Sequence, residues 1–556
     1  MDVPPDLPTR LRDRLAAANY TIDGVRERLG DVAATALARE ELVPADRATR
    51  APDPLGVLIR LWWLGLPVPE RHAGPSVAGL PVAELVAAGL LERDGDRVRA
   101  AVHLQPWETG GYLVSDRKVR PGDPPLRADH VVGAGGASAN LAGLVTRRPA
   151  GSALDLGTGC GVQVLHLADR AERIVATDVN PRALRLARLS WALSGVPERG
   201  FDAVPRRAGV AEVEGRVGSG FEPVAGERFD LIVSNPPFVI APEGRYAYRE
   251  SGVEGDGFCR DLVVNAPRHL NPGGYCQILA NWLHVKGEDW RDRVGGWLAA
   301  TGCDGWAVQR DVQDPAEYVE LWLRDSAEQG TPAYRERYDE WLGRLEALGV
   351  TGIGFGWITL RDGGSLDPVV RVEELTGPVE QPVGAYVDEV LDGIAAAHRI
   401  GSRELLDALL VTREDVLEER IGAPGAPDPA RILLRQTRGL RRVAQVGTVT
   451  AALAGVCDGE LPLGPLLAAI AELTGAESGG GPDGESGGDS GGGPDGGSGG
   501  ESGGDPDGGS GGESRGGPDG ESGGESDAGV DNARMDDLRN LIAEGFFQVT
   551  GASNAC

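Results

Sequence analysis

The chain has 556 residues, 41% of them apolar, and a net charge of −29 with a pI of about 4.7. That length exceeds what one hydrophobic core holds and points to roughly three or four domains. Residues 477–529 hold thirteen acidic residues and one arginine, a net of −12, so −17 remains elsewhere and a broadly basic nucleic-acid footprint is excluded.

The N-terminal run MDVPPDLPTRLRDRL has no apolar leader core, and no stretch of the chain reaches the ~18–20 apolar residues that a membrane span requires. A protein without membrane contact, in the cytoplasm, is expected. Residues 1–115 read as a mainly helical domain: PTRLRDRLAAANYTIDGVRERLG and AATALAREEL place apolar residues three and four apart. DPLGVLIRLWWLGLPV follows as a buried helix or turn. A helix over Ala83–Leu91 and two short strands around Asp94-Gly95-Asp96 then give the outline of a winged helix. Such a module contacts nucleic acid or the ribosome, or it docks and shapes a substrate.

From about residue 125 to 376 the pattern alternates strand, turn and helix. Strands are expected at Ser152–Leu156, Arg173–Thr177, Phe229–Ser234, Tyr275–Ala280, Gly305–Asp311 and Gly354–Leu360, with helices at Pro181–Leu193 and Gly257–Leu270. This alternation predicts a parallel, doubly wound α/β sheet with its ligands at the carboxyl ends of the strands. A helical insert, Ala316–Leu348, separates the last two strands. Residues 380–475 read as helical again and contain a basic run, RILLRQTRGLRR (Arg431–Arg442), which reads as a solvated helix face or an RNA contact. Residues 477–529 are Gly, Ser, Pro, Asp and Glu almost throughout. Such a composition predicts a disordered, self-repelling linker. A short amphipathic helix within residues 533–549 is expected to dock back on the body. The six cysteines form no CxxC pair and no cluster with His, so free thiols and no metal site are expected.

Two segments carry chemistry. In SALDLGTGCG (152–161) a buried strand breaks into Gly157, Gly159 and Gly161 before a helix over Val162–Ala168. Glycines there let the backbone turn tightly and approach a ligand. Asp155 lies inside the strand, where a pyrophosphate gains nothing from a carboxylate but an amino acid's ammonium does. Asp178 ends the next strand, IVATD, about 20 residues further on, where a carboxylate accepts from ribose hydroxyls. A ligand with ribose hydroxyls, no phosphates and a charged amino-acid end is S-adenosylmethionine.

With these residues in place, 128–280 resembles the class I S-adenosylmethionine-dependent methyltransferases: LDLGTGCG, ATDVNPRAL and SNPPF stand in that family's order and spacing. The resemblance implies a Rossmann-like, seven-stranded methyltransferase sheet, here flanked by helical, winged-helix-like regions. It implies cofactor contacts from Asp155, Gly157, Thr158, Gly159 and Gly161 around the methionine part. Asp178, Val179 and Asn180 fall on the ribose side, Ser219 and Phe221 on the adenine side, and Asn235 near the methyl group. In the family an Asp often precedes the adenine-side aromatic, whereas here Ser219 stands before Phe221. HVVGAGGASANLAGLV (130–145) resembles the segment that closes over the cofactor.

In DLIVSNPPFVIAP (230–242) two prolines end a strand that cannot continue its ladder through them. The Asn235 amide oxygen and the Pro236 carbonyl, its direction restricted by Pro237, can together accept both hydrogens of an –NH₂ group. Phe238 can stack on the planar group that bears it. Asn235, Pro236, Pro237 and Phe238 are therefore the expected catalytic set, acting on a planar amide or exocyclic amine. Downstream, Gly255-Asp256-Gly257 and Leu270–Gly274 resemble the HemK-like release-factor glutamine methyltransferases, although Phe238 replaces their usual Tyr. Ribosomal-RNA guanine methyltransferases carry Phe there but usually a following His, and here Val239 follows. The expected function is N-methylation of a translation component, a release-factor-like protein glutamine in the first place. An rRNA or tRNA purine (adenine N6 or guanine N2) is the alternative. A small-molecule methyltransferase and a non-catalytic scaffold are the further readings.

Overall fold

The computed structural model describes residues 3–77, 80–118, 126–200, 208–242, 254–326, 328, 331–426, 428–474 and 532–550. The expected linker, 477–529, lies outside the described residues.

The centre is one sheet of eight strands: β1 (Ala150–Leu156), β2 (Ala171–Asp178), β3 (Glu212–Val217), β4 (Phe229–Ser234), β5 (Leu270–Val285), β6 (Asp304–Gln313), β7 (Val350–Arg361) and β8 (Val370–Glu374). Their order is β8-β6-β7-β5-β4-β1-β2-β3. The expected seven strands are joined by an eighth, β8, parallel to β6 at the edge. The sheet is parallel except at β7, which runs antiparallel to both β5 and β6. The helices of this region are α1 (Gly136–Leu144), α2 (Val162–Leu167), α3 (Pro181–Leu193), α4 (Gly257–Asn265), α5 (Trp290–Ala299), α6 (Pro315–Asp325) and α7 (Tyr334–Ala347).

Successive residues of a strand face opposite sides, and the two cores follow that alternation. Ala153, Ile174 and Leu231 join a core with α2 and α3 residues such as Val164 and Leu186. Their neighbours Leu154, Val175 and Ile232 join a second core with Leu262 of α4 and Val294 of α5. The first core continues into both flanks. It takes in Leu7 and Trp62 near the N-terminus and Leu391, Leu541 and Phe547 near the C-terminus.

In the N-terminal flank a short helix (Val82–Ala87) feeds an antiparallel pair, Leu91–Asp94 with Arg97–Ala100, as the sequence suggested. A second hairpin, His103–Pro106 with Tyr112–Ser115, lies along α3. There Ser190 and Ser194 accept from the backbone N–H groups of Val114 and Tyr112, each at 2.9 Å. After residue 380 the chain is helical at α8 (Val387–Arg399) and elsewhere, but it also builds two three-stranded sheets. The basic run is not a helix face: Arg431–Gln436 is the middle strand of one of them. Its burial alternates, with Ile432, Leu434 and Gln436 inward. Arg435 pairs with Glu419, and Arg442 is buried against Glu373. Finally α9 (Asn532–Ala543) packs on α8, and Phe547–Thr550 adds an edge strand to the other small sheet.

This topology places the site. The chain builds outward from β1 through β2 to β3, then returns to lay β4 beside β1 on the other side. At such a reversal the connections diverge and leave a crevice beyond the carboxyl ends of the two strands. Asp155 is paired with Val233 and Leu156 with Ser234. The glycine turn and the Asn-Pro-Pro-Phe segment therefore leave the sheet side by side.

Candidate active site

The turn after β1 requires its glycines. Gly157, Gly159 and Gly161 have φ of 77°, 56° and 85°, a left-handed conformation that side chains with a Cβ resist. This path brings the Gly159 N–H to Asp178 Oδ2 at 2.9 Å, while Asp178 Oδ1 accepts from the Asn180 N–H at 2.8 Å. Asp155 is fully buried. Its Oδ2 accepts from Thr158 Oγ1 at 2.6 Å, and its Oδ1 has no hydrogen-bond partner among the described residues. Burial pushes the Asp155 carboxyl up to about 7, against the Thr158 hydrogen bond and with help from the nearby Asp178 charge. Burial also raises the Asp178 pKa.

Both carboxylates line one cavity of about 690 Å³. A strip of chain, residues 128–138, forms part of its wall and is tied down at several points. Val131 donates to Asp116 Oδ2 at 2.9 Å, Asp116 returns a backbone bond to Val131 at 3.0 Å, and Arg182 grips the same carboxylate. Asn180 Nδ2 donates to the Asp129 carbonyl at 3.0 Å, and Gln163 Nε2 to that of Ser138 at 2.9 Å.

On the other side of the cavity β4 ends. Ser234 Oγ donates to the Leu156 carbonyl at 2.7 Å, locking the two strand ends together. Asn235 Nδ2 donates to Ser138 Oγ at 3.4 Å, which leaves the Asn235 amide oxygen for another donor. The Pro236 carbonyl already accepts from the Phe238 N–H at 2.8 Å, so one lone pair remains to it. Beyond Phe238, the Ile240 N–H donates to the buried Tyr318 hydroxyl at 2.9 Å.

A family model described as "Methyltransferase small domain" matches residues 135–289, the span from the wall strip through β5. This segment is a class I methyltransferase domain. The release factor glutamine methyltransferase of Geobacter sulfurreducens is 33% identical over 29% of this chain and 54% of its own. The ribosomal RNA small subunit methyltransferase C of Idiomarina loihiensis is 30% identical over 24% of this chain and 32% of its own. The chain thus spans about half the length of the release-factor relatives it matches, and about a third of the ribosomal RNA one. Among solved structures, the cyclopropane synthase MmaA2 of Mycobacterium tuberculosis aligns with 40% of this chain and 82% of its own. Its identity is 16% and its TM-score 0.25. Residues 17–101 match a domain of unknown function, DUF7059.

Within the methyltransferase domain, the structure gathers most of the residues singled out in the sequence. Asp155, Gly157, Thr158, Gly159, Asp178, Val179, Asn180, Ser219, Asn235, Pro236, Pro237 and Phe238 all line the cavity. Two do not. Gly161 is a packing residue: its carbonyl accepts from Trp191 Nε1 at 3.2 Å, and a Cβ there would come within 2.4 Å of that nitrogen. Phe221 turns away and stacks on His269, with ring centroids 4.5 Å apart. Near the expected adenine side the cavity is lined by Gly218-Ser219-Gly220. Asp256 of the Gly-Asp-Gly turn is structural, accepting from Arg293 and from the Leu283 N–H. Sequence reasoning missed Phe258 and Leu262 of α4 and Trp322 and Asp325 of α6, which also line the cavity.

The donor set suits S-adenosylmethionine. A buried carboxylate oxygen without a partner awaits a cation, and open glycine turns leave room beside it. Asp155 would hold the ammonium and Asp178 the ribose hydroxyls. Among the described residues no group of His, Cys, Asp and Glu could hold a metal ion, and no helix is long and apolar enough to cross a membrane.

Proposed function

We propose that this protein is an S-adenosylmethionine-dependent N-methyltransferase whose acceptor is a planar –NH₂ group, a protein glutamine in a translation component. The observation that carries this reading is the meeting of the Asp155–Asp178 half-site with Asn235–Phe238 in one cavity, across paired strands. When bound, S-adenosylmethionine supplies an electrophilic methyl group on a cationic sulfur. The residues of this chain position the nitrogen that attacks it. The Asn235 amide oxygen accepts one N–H, and the remaining Pro236 lone pair accepts the other. The acceptor nitrogen would gain positive charge as it takes up the methyl group. Two acceptors on its hydrogens stabilise that charge. The surplus proton then passes to water. Alignment of the nitrogen with the methyl group supplies much of the rate, so no strong base is required.

The relatives named as release-factor enzymes support a protein glutamine, and the acidic charge of the chain agrees with it. The rRNA relative favours a second reading, a purine in RNA. The basic run lends that reading less than its composition promises, because Arg435 and Arg442 are engaged by Glu419 and Glu373. Labelled cofactor added to a lysate from a strain lacking this gene tests the proposal. Label in the protein fraction supports it, label in RNA supports the second reading, and label in neither overturns both.

A further inference from the structure

The connection between β6 and β7 is longer than the sheet requires. The two strands are antiparallel neighbours, with Gln313 paired to Ile353, and a hairpin of about two to five residues would join them. Instead residues 314–349 build α6 and α7, which form a separate small core. Tyr318, Val319, Trp341 and Leu345 of the insert pack there on Val239 and Ile240, the residues that directly follow Phe238.

The Tyr318 hydroxyl accepts from the Ile240 N–H at 2.9 Å and from Asn281 Nδ2 at 3.4 Å, so α6 is keyed to the acceptor segment. Residues 318, 322 and 325 lie four and three apart and share one helix face. With Tyr318 anchored, Trp322 and Asp325 line the cavity. Tyr318 meets the Trp322 ring edge-on, at 6.0 Å and 69°. The aromatic residues of the cavity wall are Phe238, Phe258 and Trp322, set against a cofactor half made of glycine turns and carboxylates.

We infer that the α6–α7 insert is the acceptor-recognition element, with Trp322 positioning the planar group to be methylated and Asp325 drawing a positively charged polypeptide segment to the mouth. The inference rests on the amino-methyl transfer proposed above and names the acceptor class that the site selects. Charge supports a polypeptide over a nucleic acid: residues 315–347 contain eight carboxylates and four arginines. A phosphodiester chain entering past Asp325 meets repulsion, whereas Lys and Arg side chains meet attraction. Asp325 is exposed, and its field reaches His130 on the wall strip.

The test uses the full chain, labelled cofactor, and separate protein and RNA fractions from a strain lacking the gene. Trp322→Ala is expected to lower transfer to protein about tenfold or more at limiting acceptor, the scale of a misplaced reacting group. Trp322→Phe retains most of the rate, and cofactor affinity by titration calorimetry stays within about twofold in both. Asp325→Lys is expected to raise the acceptor KM severalfold at low salt, with the gap to wild type closing as ionic strength rises. Equal rates for wild type, Trp322→Ala and Asp325→Lys overturn the inference while leaving the proposed reaction standing. So does label that the wild-type protein places in RNA rather than in protein. A wild-type enzyme that labels neither fraction overturns the reaction itself.

Discussion

Asp155 is a carboxyl whose ionised form destabilises the fold. Its pKa lies at about 7 in the folded protein, against 3.8 for the free group, because burial removes the water that would stabilise its charge. Three units correspond to about 4 kcal/mol of penalty on the ionised form. A folded pKa raised above the unfolded value means the native state holds the extra proton. Stability therefore falls as pH rises from about 4 to 7 and stays low above that. Asp155→Asn removes the charge and keeps the shape, and its side-chain oxygen can still accept from Thr158. An amide –NH₂ left unpaired would take back about 1–3 kcal/mol. The net expectation at pH 8 is a variant about 1–3 kcal/mol more stable than wild type without cofactor.

Urea unfolding at pH 5 and pH 8, with and without S-adenosylmethionine, checks this. At pH 5 the advantage of Asp155→Asn should shrink or reverse, since wild type is then mostly protonated at this site. Asp178 titrates in both proteins, and its charge adds to the raised Asp155 pKa in wild type alone. With cofactor at about 100 times its Kd, wild type should gain about 2.7 kcal/mol, and the variant much less because its partner for the ammonium has lost its charge. Parallel pH profiles for the two proteins, or an equal gain from the cofactor, would refute the reasoning. Parallel profiles would mean that Asp155 titrates in the native state as it does unfolded, and an equal gain that it does not hold the ammonium.

Further outcomes concern the acceptor half and the flanks. Asn235→Ala should lower methyl transfer about 10²–10³-fold, the cost of losing one preorganised hydrogen-bonding group. Its cofactor affinity by calorimetry should change little, and full activity in this variant would remove Asn235 from the mechanism. Tyr318→Phe strips the buried Ile240 N–H of its acceptor, for about 1–3 kcal/mol in urea unfolding. The same change should lower transfer more than cofactor binding, because it loosens the acceptor segment. Phe546→Ala, at a fully buried position of the C-terminal segment, should cost about 3–5 kcal/mol. Cofactor affinity of the folded variant should be unchanged, since Phe546 does not line the cavity.

The parts legible in the sequence are those whose signal is local. β1, β2 and β4 are buried on both faces and read as apolar runs closed by Gly, Asp or Pro. The edge strands β3 and β8 were missed because EVEGRV and VRVEE are short and charged and only half buried, as edge strands generally are. In RILLRQ both a helical and a two-residue period fit the apolar positions, and the arginines favoured a solvated helix face. Pairing with strands on both sides decided for the second period. Asp155, Asp178 and Asn235 were legible because each stands within two residues of a strand end in a recognisable turn. Trp322 and Asp325 were not, because α6 reaches the site through tertiary contacts, such as those of Tyr318 with Ile240 and Asn281, distant in sequence.

That contact also clarifies what the two prolines do. Neither has an N–H, so the ladder of β4 ends at Ser234, and its partner strand β1 is free to turn into the glycine loop. Hydrogen bonds hold the chain beyond: Asn235 on Ser138, the Phe238 N–H on the Pro236 carbonyl, and Ile240 on Tyr318. The second of these fixes the carbonyl that would face the acceptor and uses one of its two lone pairs in doing so. On the proposed reaction, a substrate –NH₂ would meet one acceptor held by a short turn and another, the Asn235 amide, whose side chain is tied to a hydroxyl on the wall strip. Ser138 would then position the acceptor half while it also lines the cavity. Any movement of residues 128–138 on cofactor binding would reorient Asn235, so the two halves of the site should bind their ligands cooperatively.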